Sequence, residues 1–551
     1  MDTKAYDGVS KFVSRSISPW LDYSILISLV FATYWVGGKS LSIFGDEWIR
    51  VDQIIHGTTI CPGSTNIFLR PLLDCYPFFL SLLFGLNIQV FHFISVVILV
   101  VTALVLFRLL MSIFPTWRLF NLVAASLFMV YPASFPHTFF ERGAFQLSLL
   151  FFILSLLLLS AYLDTDLTRY LFAATGVLVI SLALYEAQIG LGLVIPILYY
   201  FYDRSKTKKQ RSGYLLYWAI SLLFMLGRLI TQLSVGSAFG HSTEKIVLNP
   251  TAYLYRLALG YKISLLDSWI EALEALGNDI QPVLHQLALV GSGLFILLCL
   301  RVWIDSKARS TTQETAPGGL KTAGLVILVG MLLLGAGYFP MLLAFTPTLS
   351  YLPSRININP GLGAVLVICA SILVGLLILT KDSHQRQFVF GLFTFPLVLI
   401  GSVTQMNSQH GTEIGWQEQK AFWQNMFTTA PDIKPGTYIL LFLPNYADHY
   451  GSKPFESGPS GFASSFHVLY GLNDIHGYFT YSGFEDRYFT DAGIMNPWEN
   501  EIIPYEESIV MSFDRETQEL SSIWSPELLL CNDCLIEKQT GSTNWRYLVN
   551  R

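Results

Sequence analysis

Residues 22–48 read DYSILISLVFATYWVGGKSLSIFGDEW, a long apolar run followed closely by two acids. A stretch of about 20 mostly apolar residues is long enough to cross the hydrocarbon core of a membrane as a helix. We therefore predict a first membrane span at 22–43, with Asp46 and Glu47 just beyond it. Charged side chains at that depth are costly unless they have a function, so these two acids are the first candidates for a reacting site.

The rest of the chain has the same apolar character. Of its 551 residues, 52% are hydrophobic and 13% are charged, and the mean hydropathy is +0.49. The first span has no small-residue cleavage site after it, so it is expected to remain in the mature chain. Together these features predict a polytopic α-helical membrane protein with about eleven transmembrane helices. The predicted spans are 22–43, 88–112, 117–134, 144–162, 169–186, 188–202, 213–235, 282–303, 322–346, 358–380 and 387–404.

Basic residues are distributed unevenly between the loops on the two sides of the predicted membrane. The loops on the side of the N-terminus hold seventeen Lys and Arg, whereas the opposite loops hold eight over a greater length. Because cytoplasmic loops carry the excess of basic residues, the N-terminus is predicted to be cytoplasmic. An odd number of spans then places the C-terminus outside. The expected location is the plasma (inner) membrane, crossed many times.

The composition changes after residue 404. Residues 405–551 hold 19 Asp and Glu but 8 Lys and Arg, a net charge of −11, against +6 for residues 1–404. We expect a transmembrane domain over 1–404 and an external, acidic soluble domain over 405–551. Apolar residues at helical spacing in 413–428 and the strand-like run TYILLFLP at 437–444 predict a small α/β fold there. The domain contains no Asn-x-Ser/Thr glycosylation sequence, which favours a bacterial source.

The cysteines predicted to lie outside form two pairs. Cys61 and Cys75 share the first outer loop, and Cys531 and Cys534 share the C-terminal segment. Cysteines exposed to an oxidising compartment usually form disulfides, so we predict two external bridges. A zinc site on Cys531 and Cys534 is the alternative, but no second pair of ligands stands near them in the sequence.

Most other polar residues near the membrane ends fall in loops predicted to lie outside. The candidates for substrate binding are His56, Arg70, Glu141, Arg142, Glu186, Gln188 and Arg355. Arg70 has a second interpretation, in which it braces the first loop through Asp74. A further segment, YPFFLSLLFGL at 76–86, is too short to span and is expected to lie in the membrane interface.

Arg228 is unusual because it lies inside the seventh predicted span, about seven residues from the outer end. One interpretation is that its long side chain extends outward and binds an anionic group. The other is that it pairs with a buried acid such as Glu186 and has a structural role. Arg142 and Arg355 are the competing candidates for the anion-binding role.

Four features of the chain resemble the GT-C class of membrane glycosyltransferases, most closely its protein O-mannosyltransferase-like branch. They are Asp46-Glu47 after the first span, Arg70-Pro71-Leu72 later in the same loop, about eleven spans, and an outward C-terminal domain. The resemblance implies inverting transfer of a sugar from a polyprenyl-phosphate donor to an acceptor hydroxyl at the outer face. It also implies that Asp46 is the catalytic base and that a basic residue near the interface holds the lipid phosphate.

The chemistry of such a transfer suits these residues independently. A carboxylate must accept the proton of the attacking hydroxyl, and a cation must offset the charge on the departing phosphate. Two adjacent carboxylates point in different directions, so we assign only one as the base, with Asp46 preferred and Glu47 as the alternative. The other acid would then orient the acceptor or bind a divalent cation such as Mg²⁺ or Mn²⁺. This cation is the one cofactor that the sequence suggests. A third interpretation is that both acids only solvate the end of a helix. The expected partners are the lipid-linked sugar, a glycan, lipid or protein acceptor, and membrane lipid, with no nucleic acid.

Two other classes of function stay open. A polysaccharide polymerase or ligase would share the lipid-linked donor and the outward site, but would leave the acid pair without a reason. A flippase or transporter for lipid-linked sugars would need mid-membrane polar groups and an internal repeat, and no matching halves are visible in the sequence.

Overall fold

The structure, a computed structural model, describes much of the chain. The described residues are 20–36, 43, 47–58, 60–63, 67–68, 70–134, 142–202, 208–235, 249–278, 291, 293, 319–343, 345–349, 353–443, 455, 458–472, 474–480, 489–490, 492–495, 502–514 and 517–522. Several predictions fall outside them, namely those on Asp46, Glu141, Cys531 and Cys534, and most of the predicted span 282–303.

Helices dominate the described residues up to Thr429. They are α1 Trp20–Val36, α2 Glu47–Ile55, α3 Cys75–Phe84, α4 Ile88–Ile113, α5 Arg118–Met129, α6 Gly143–Thr165, α7 Thr168–Leu184, α8 Ile189–Tyr202, α9 Lys208–Val235, α10 Pro250–Lys262, α11 Ser268–Asn278, α12 Gly319–Tyr338, α13 Ile358–Leu379 and α14 Ser383–Thr429. The last turn of α1 is a π-helix, and short 3₁₀ turns at 186–188, 341–343 and 353–357 connect or precede longer helices.

Among the described residues, six helices are long and apolar enough to cross a membrane. They are Ile88–Ile113, Gly143–Thr165, Ser212–Thr231, Gly319–Tyr338, Ser354–Leu379 and Gln385–Thr429. Shorter apolar helices occupy the predicted first, third, fifth and sixth spans. The chain is therefore a helical protein of the membrane-spanning type, while the count of eleven spans stays a prediction.

Helix α14 continues well beyond the last predicted span, which ends at residue 404. Its 47 residues run without a break to Thr429. Just past residue 404, the Gln405 side chain donates to the carbonyl oxygens of Tyr131 and Ser134, at 2.9 and 2.7 Å. One turn later, Gln409 donates to the carbonyl oxygen of Thr33 in the π-helical turn of α1. The first part of the predicted external segment is thus helical and buried against the preceding helices.

The C-terminal part contains a small mixed α/β fold, as its sequence predicts. The strands are β1 Thr437–Phe442, β2 Ile475–Thr480, β3 Phe489–Thr490, β4 Gly493–Met495, β5 Ile502–Ile503, β6 Ser508–Asp514 and β7 Glu519–Ser522, and helix α15 is Gly458–Tyr470. The larger sheet has the order β2-β1-β6-β7, with β1 parallel to β2 and β6 and with β7 antiparallel to β6. Helix α15 makes the crossover that two parallel strands require.

A hydrophobic cluster joins α2 to this C-terminal fold. Trp48 of α2 and Trp423 of α14 are almost fully buried in it, together with Phe466 of α15. The Trp48 indole donates a 3.0 Å hydrogen bond to Gln419. Because α2 begins at Glu47, these contacts fix the position of the first predicted acidic site relative to α14 and α15.

Helix α3 has the surface expected for a helix lying in the membrane interface. A disulfide joins Cys61 to Cys75, the first residue of the helix. On its outer side, Phe79, Leu82 and Leu83 are between 51% and 70% exposed. Large exposed apolar side chains on a ten-residue helix suit contact with lipid, since they would be unfavourable in water.

Candidate functional site

A narrow cleft lies where four segments of the helical part meet. It is lined by the first turns of α6, the 3₁₀ turn between α7 and α8, the turn after α12, and the start of α13. Arg142 and Arg355, both predicted from the sequence as anion-binding candidates, line this cleft together. Gln146, Gln188 and Asn359 supply the other polar side chains, and the remaining lining residues are apolar or aromatic.

Arg142 is placed in the cleft by the start of α6. The helix begins at Gly143, directly after Arg142. Gly143 lies against the ring of Tyr76 so closely that a Cβ atom there would come within 2.2 Å of the ring. Only glycine permits this packing of α3 against α6. The Arg142 guanidinium lies 5.1 Å from the centroid of the Phe145 ring, a cation–π distance that holds the side chain over the first helical turn.

The turn between α7 and α8 is fixed to α6 by two serines. The Ser148 hydroxyl donates to the carbonyl oxygen of Ser181 at 2.8 Å, and the Ser181 hydroxyl donates to that of Ser148 at 2.7 Å. The Ser148 hydroxyl oxygen also lies 3.1 Å from Oε1 of Gln188. These contacts hold the turn carrying Tyr185 and Gln188 at the edge of the cleft.

Arg355 is positioned by a buried asparagine two residues later. Asn357 donates to the carbonyl oxygens of Ala133 and Thr348 and accepts a 2.7 Å hydrogen bond from the Tyr338 hydroxyl. One side chain therefore ties the end of α5, the end of α12 and the start of α13 together. The short 3₁₀ turn Pro353–Asn357 that carries Arg355 is held between these segments.

A second group of charged residues lies beside the cleft. Arg70 forms a bidentate pair with Glu186, with its Nε 2.6 Å from Oε2. Arg228 approaches the same carboxylate at 3.5 Å and donates to the carbonyl oxygen of Phe68 at 2.8 Å. We refer to these three residues, Arg70, Glu186 and Arg228, as the compensated cluster, because the Glu186 carboxylate lies between the two guanidinium groups.

These contacts decide between the alternatives for two of the predicted residues. Arg70 pairs with Glu186, and Asp74 instead accepts from Arg50 at 2.6 Å, so the suggested Arg70–Asp74 brace is wrong. Arg70 also has a φ of 55°, in the left-handed region that non-glycine residues rarely adopt. Arg228 makes the contact with Glu186 that its structural interpretation requires.

Electrostatics stabilise the ionised forms in the compensated cluster. Burial lowers the pKa of Arg70, but the Glu186 carboxylate outweighs this effect and raises it above the ordinary value. The Glu186 carboxylate lies between the guanidinium groups of Arg70 and Arg228. With two guanidinium groups around one carboxylate, the cluster carries a net positive charge.

Tyr185 connects the two groups of arginines. Its ring lines the cleft and lies 4.2 Å, centroid to centroid, from the ring of Phe145. The Arg70 guanidinium lies 4.8 Å from the Tyr185 centroid. Tyr185 thus lies between the compensated cluster and the cleft. Of the arginines that the structure describes, Arg142 and Arg355 line the cleft.

Glu47 is buried, with 1% of its surface exposed, and is the first residue of α2. An acid in the first turn of a helix is favoured by the helix dipole. It is close enough to Tyr76 to influence that phenol electrostatically, and Tyr76 packs against Gly143 beside Arg142. Tyr76 therefore lies near both the start of α2 and the start of α6.

His56 lies away from the cleft, near the end of α2. Its Nδ1 is 2.8 Å from one oxygen of Asp52, and the other oxygen of Asp52 is 3.2 Å from Nδ1 of His467 in α15. Nε2 of His467 lies 3.2 Å from the carbonyl oxygen of Ile475. The hydrogen bond to Asp52 raises the pKa of His467, burial opposes this, and nearby Asp474 adds to the increase. This arrangement attaches α2 to the C-terminal fold.

No group of three His, Cys, Asp or Glu side chains is placed to hold a metal ion among the residues that the structure describes. Of the two acids considered as ligands of a divalent cation, Glu47 lies in this part of the chain and Asp46 lies outside it.

Four polar residues were not identified from the sequence. Asn357, Gln405 and Gln409 hold segments together, and Asn359 lines the cleft. Asn357 and Asn359 follow Arg355 closely in the sequence, and two asparagines at the start of a span were a usable signal. Gln405 and Gln409 were missed because only apolar length was weighed near residue 404. Their four-residue spacing places both on one helix face.

Comparison of the chain with protein-family models, with curated proteins and with solved structures finds no match.

Proposed function

We propose that this protein is a membrane glycosyltransferase that moves a sugar from a polyprenyl-phosphate donor to an acceptor hydroxyl. The observation that carries the proposal is the cleft in which Arg142 and Arg355, 213 residues apart in the sequence, come together. Two guanidinium groups facing one cleft are suited to bind a phosphate by paired hydrogen bonds.

The surrounding helices support an anionic ligand. Helices α6 and α13 both begin at the cleft, at Gly143 and Ile358. The N-terminus of a helix presents a partial positive charge and unpaired N–H groups, which favour anions. The apolar lining residues and the adjoining apolar helix α3 suit the lipid part of such a donor. In this proposal Arg228 has a structural role in the compensated cluster, and Arg142 and Arg355 bind the phosphate.

The proposed reaction needs one base and one charge-stabilising group. Asp46 would accept the proton of the acceptor hydroxyl while that oxygen attacks the anomeric carbon of the sugar. The bond between the anomeric carbon and the phosphate oxygen breaks, and the configuration at that carbon inverts. Arg142 and Arg355 would stabilise the charge that develops on the departing lipid phosphate. Glu47, at the buried start of α2, would hold the chain that presents Asp46.

The decisive experiment measures consumption of a polyprenyl-phosphate hexose by the purified full-length protein in detergent. Asp46→Asn should slow consumption by a factor of about 100 or more, because the amide cannot accept a proton. Asp52→Asn is the matched control, since it makes the same change on the neighbouring helix α2, and it should turn over like the wild type.

Two results would contradict the proposal. Turnover near the wild-type rate in Asp46→Asn would remove Asp46 as the base. Movement of donor across a vesicle bilayer without any consumption by the wild type would point to a flippase, because a flippase needs a membrane with two sides and makes no glycosidic bond.

A further inference from the structure

Two glutamines of α14 hold the ends of α1 and α5 together. The Gln405 side chain donates to the carbonyl oxygens of Tyr131 and Ser134, which follow the end of α5. One turn later, the Gln409 side chain donates to the carbonyl oxygen of Thr33 at 3.0 Å and to that of Gln405 at 3.1 Å. An amide nitrogen carries two hydrogens, so these contacts use all the donors of both side chains. They also fix which end of each amide is the oxygen.

Four residues of this arrangement each leave one side-chain oxygen without a hydrogen bond. Among the residues that the structure describes, these atoms are Oγ1 of Thr33, Oγ of Ser134, Oε1 of Gln405 and Oε1 of Gln409. The four residues are between 0% and 2% exposed, and we refer to them as the oxygen network. Burial of a polar atom without a partner is costly. Four such atoms on residues joined by hydrogen bonds therefore indicate a place for a bound species.

The charge distribution around the oxygen network favours a cation. Thr33 lies in the last turn of α1, which ends at Val36, and the Tyr131 and Ser134 carbonyls follow α5. The C-terminus of a helix carries a partial negative charge, so two negative helix ends meet here. Carbonyl oxygens and helix C-terminal ends coordinate monovalent cations in other helical membrane proteins. The side-chain oxygens of the network are neutral ligands of the same kind.

We propose that the oxygen network binds one alkali cation, Na⁺ or K⁺, between the ends of α1 and α5. The set contains no carboxylate, whereas protein sites for Ca²⁺ and Mg²⁺ usually include carboxylates, so a single charge suits these ligands better. The cation offsets the partial charges of the two helix ends and holds them together. The chain leads from α1 to Asp46 and from α5 to Arg142, so the cation fixes the points from which both segments depart.

The inference is tested by the melting temperature of the purified full-length protein in detergent. The measurement starts in choline chloride, and choline is replaced stepwise by Na⁺ or by K⁺ at constant chloride. A ligand that binds only the folded state raises the melting temperature by mass action. At least one of the two ions should give a rise that saturates, and the ion with the lower half-saturating concentration is the preferred one.

Two variants remove ligands without removing a hydrogen bond described above. Thr33→Val and Ser134→Ala delete the unpartnered hydroxyls, so each should change the melting temperature little in choline. Each should raise the half-saturating cation concentration about 10-fold, as expected for the loss of one contact to a charged group. Thr394→Val and Ser402→Ala are the matched controls. They make the same changes at other buried positions of α14, where the hydroxyls donate to backbone carbonyl oxygens, and should keep the wild-type half-saturating concentration.

Three other outcomes would overturn the inference. Equal melting temperatures in choline, Na⁺ and K⁺ would leave bound water as the better account of the four oxygens. A saturable rise that Thr33→Val and Ser134→Ala both leave unchanged would place the cation elsewhere. A larger rise with Mg²⁺ or Ca²⁺ than with either alkali cation would contradict the single charge. These measurements involve no turnover, so the proposed function stands or falls separately.

Discussion

The two groups of arginines that meet at Tyr185 have the same chemistry but different surroundings. Arg70 and Arg228 share the Glu186 carboxylate, whereas Arg142 and Arg355 line one cleft together. Removing one partner from a buried ion pair leaves an uncompensated charge, so compensated arginines are tied to stability. In the proposed function, the arginines that line the cleft bind an anionic ligand. The comparison therefore sets arginines at a shared carboxylate against arginines at a shared cleft.

The largest effect on stability is expected from Glu186. Glu186→Gln would leave the guanidinium groups of Arg70 and Arg228 together without their shared carboxylate. We expect a loss of roughly 3–5 kcal/mol, since breaking a buried ion pair leaves an unpaired buried charge. Thermal unfolding of the purified protein measures it. Arg142→Met is the control, and a comparable loss in that variant would erase the distinction between the two groups.

The next effect concerns binding. Arg142→Ala and Arg355→Ala should each weaken the binding of inorganic phosphate by about 10- to 100-fold, because each removes charge-assisted hydrogen bonds of roughly 1.5–3 kcal/mol. Lysine at either position keeps the charge without the paired geometry and should weaken binding less.

Arg228→Lys tests whether an arginine of the compensated cluster stabilises the fold or binds phosphate. It should lower the melting temperature, because lysine cannot contact Glu186 and the Phe68 carbonyl together in the geometry of a guanidinium. Its phosphate affinity should equal that of the wild type. A folded Arg228→Lys protein with weakened phosphate binding would return the phosphate role to Arg228.

Sequence reasoning identified the charged residues but could not group them. Arg70, Arg142, Arg228 and Arg355 were all selected, because charged residues at membrane depth are rare. Their separation into two groups depends on contacts between segments more than 100 residues apart, such as Arg70 with Glu186. No local pattern in the sequence contains that information. The pairing of Arg228 with Glu186 was foreseen only as one of two alternatives.

The fold was predicted best where periodicity is strong and local. The long spans, the strand TYILLF at 437–442 and the helix over 413–428 follow from apolar spacing and appear in the structure. The end of α14 was harder to predict, because Gln405 and Gln409 look like the start of a soluble segment. Their side chains are buried by hydrogen bonds to distant backbone carbonyls, which hydropathy does not register.

The smallest expected effect comes from His467, whose imidazole is paired with the Asp52 carboxylate. Its pKa is raised above the ordinary 6.5 by Asp52, so the protonated form is favoured in the folded state. Such a group contributes its full stabilisation below the unfolded pKa and loses it as pH rises through the folded pKa. The side chain is partly exposed, which limits the contribution to below about 1 kcal/mol.

We therefore expect the melting temperature of the wild type to exceed that of His467→Gln most at about pH 6, where the imidazolium predominates. The difference should shrink as the pH rises above the folded pKa. His476→Gln is the matched control, because His476 is more exposed and lies 3.6 Å from Asp474. It should change the melting temperature little, since an exposed pair contributes little to stability. The melting temperature of His467→Gln could instead lie below that of the wild type by the same amount at every pH. In that case packing, and not charge compensation, holds α15 against α2.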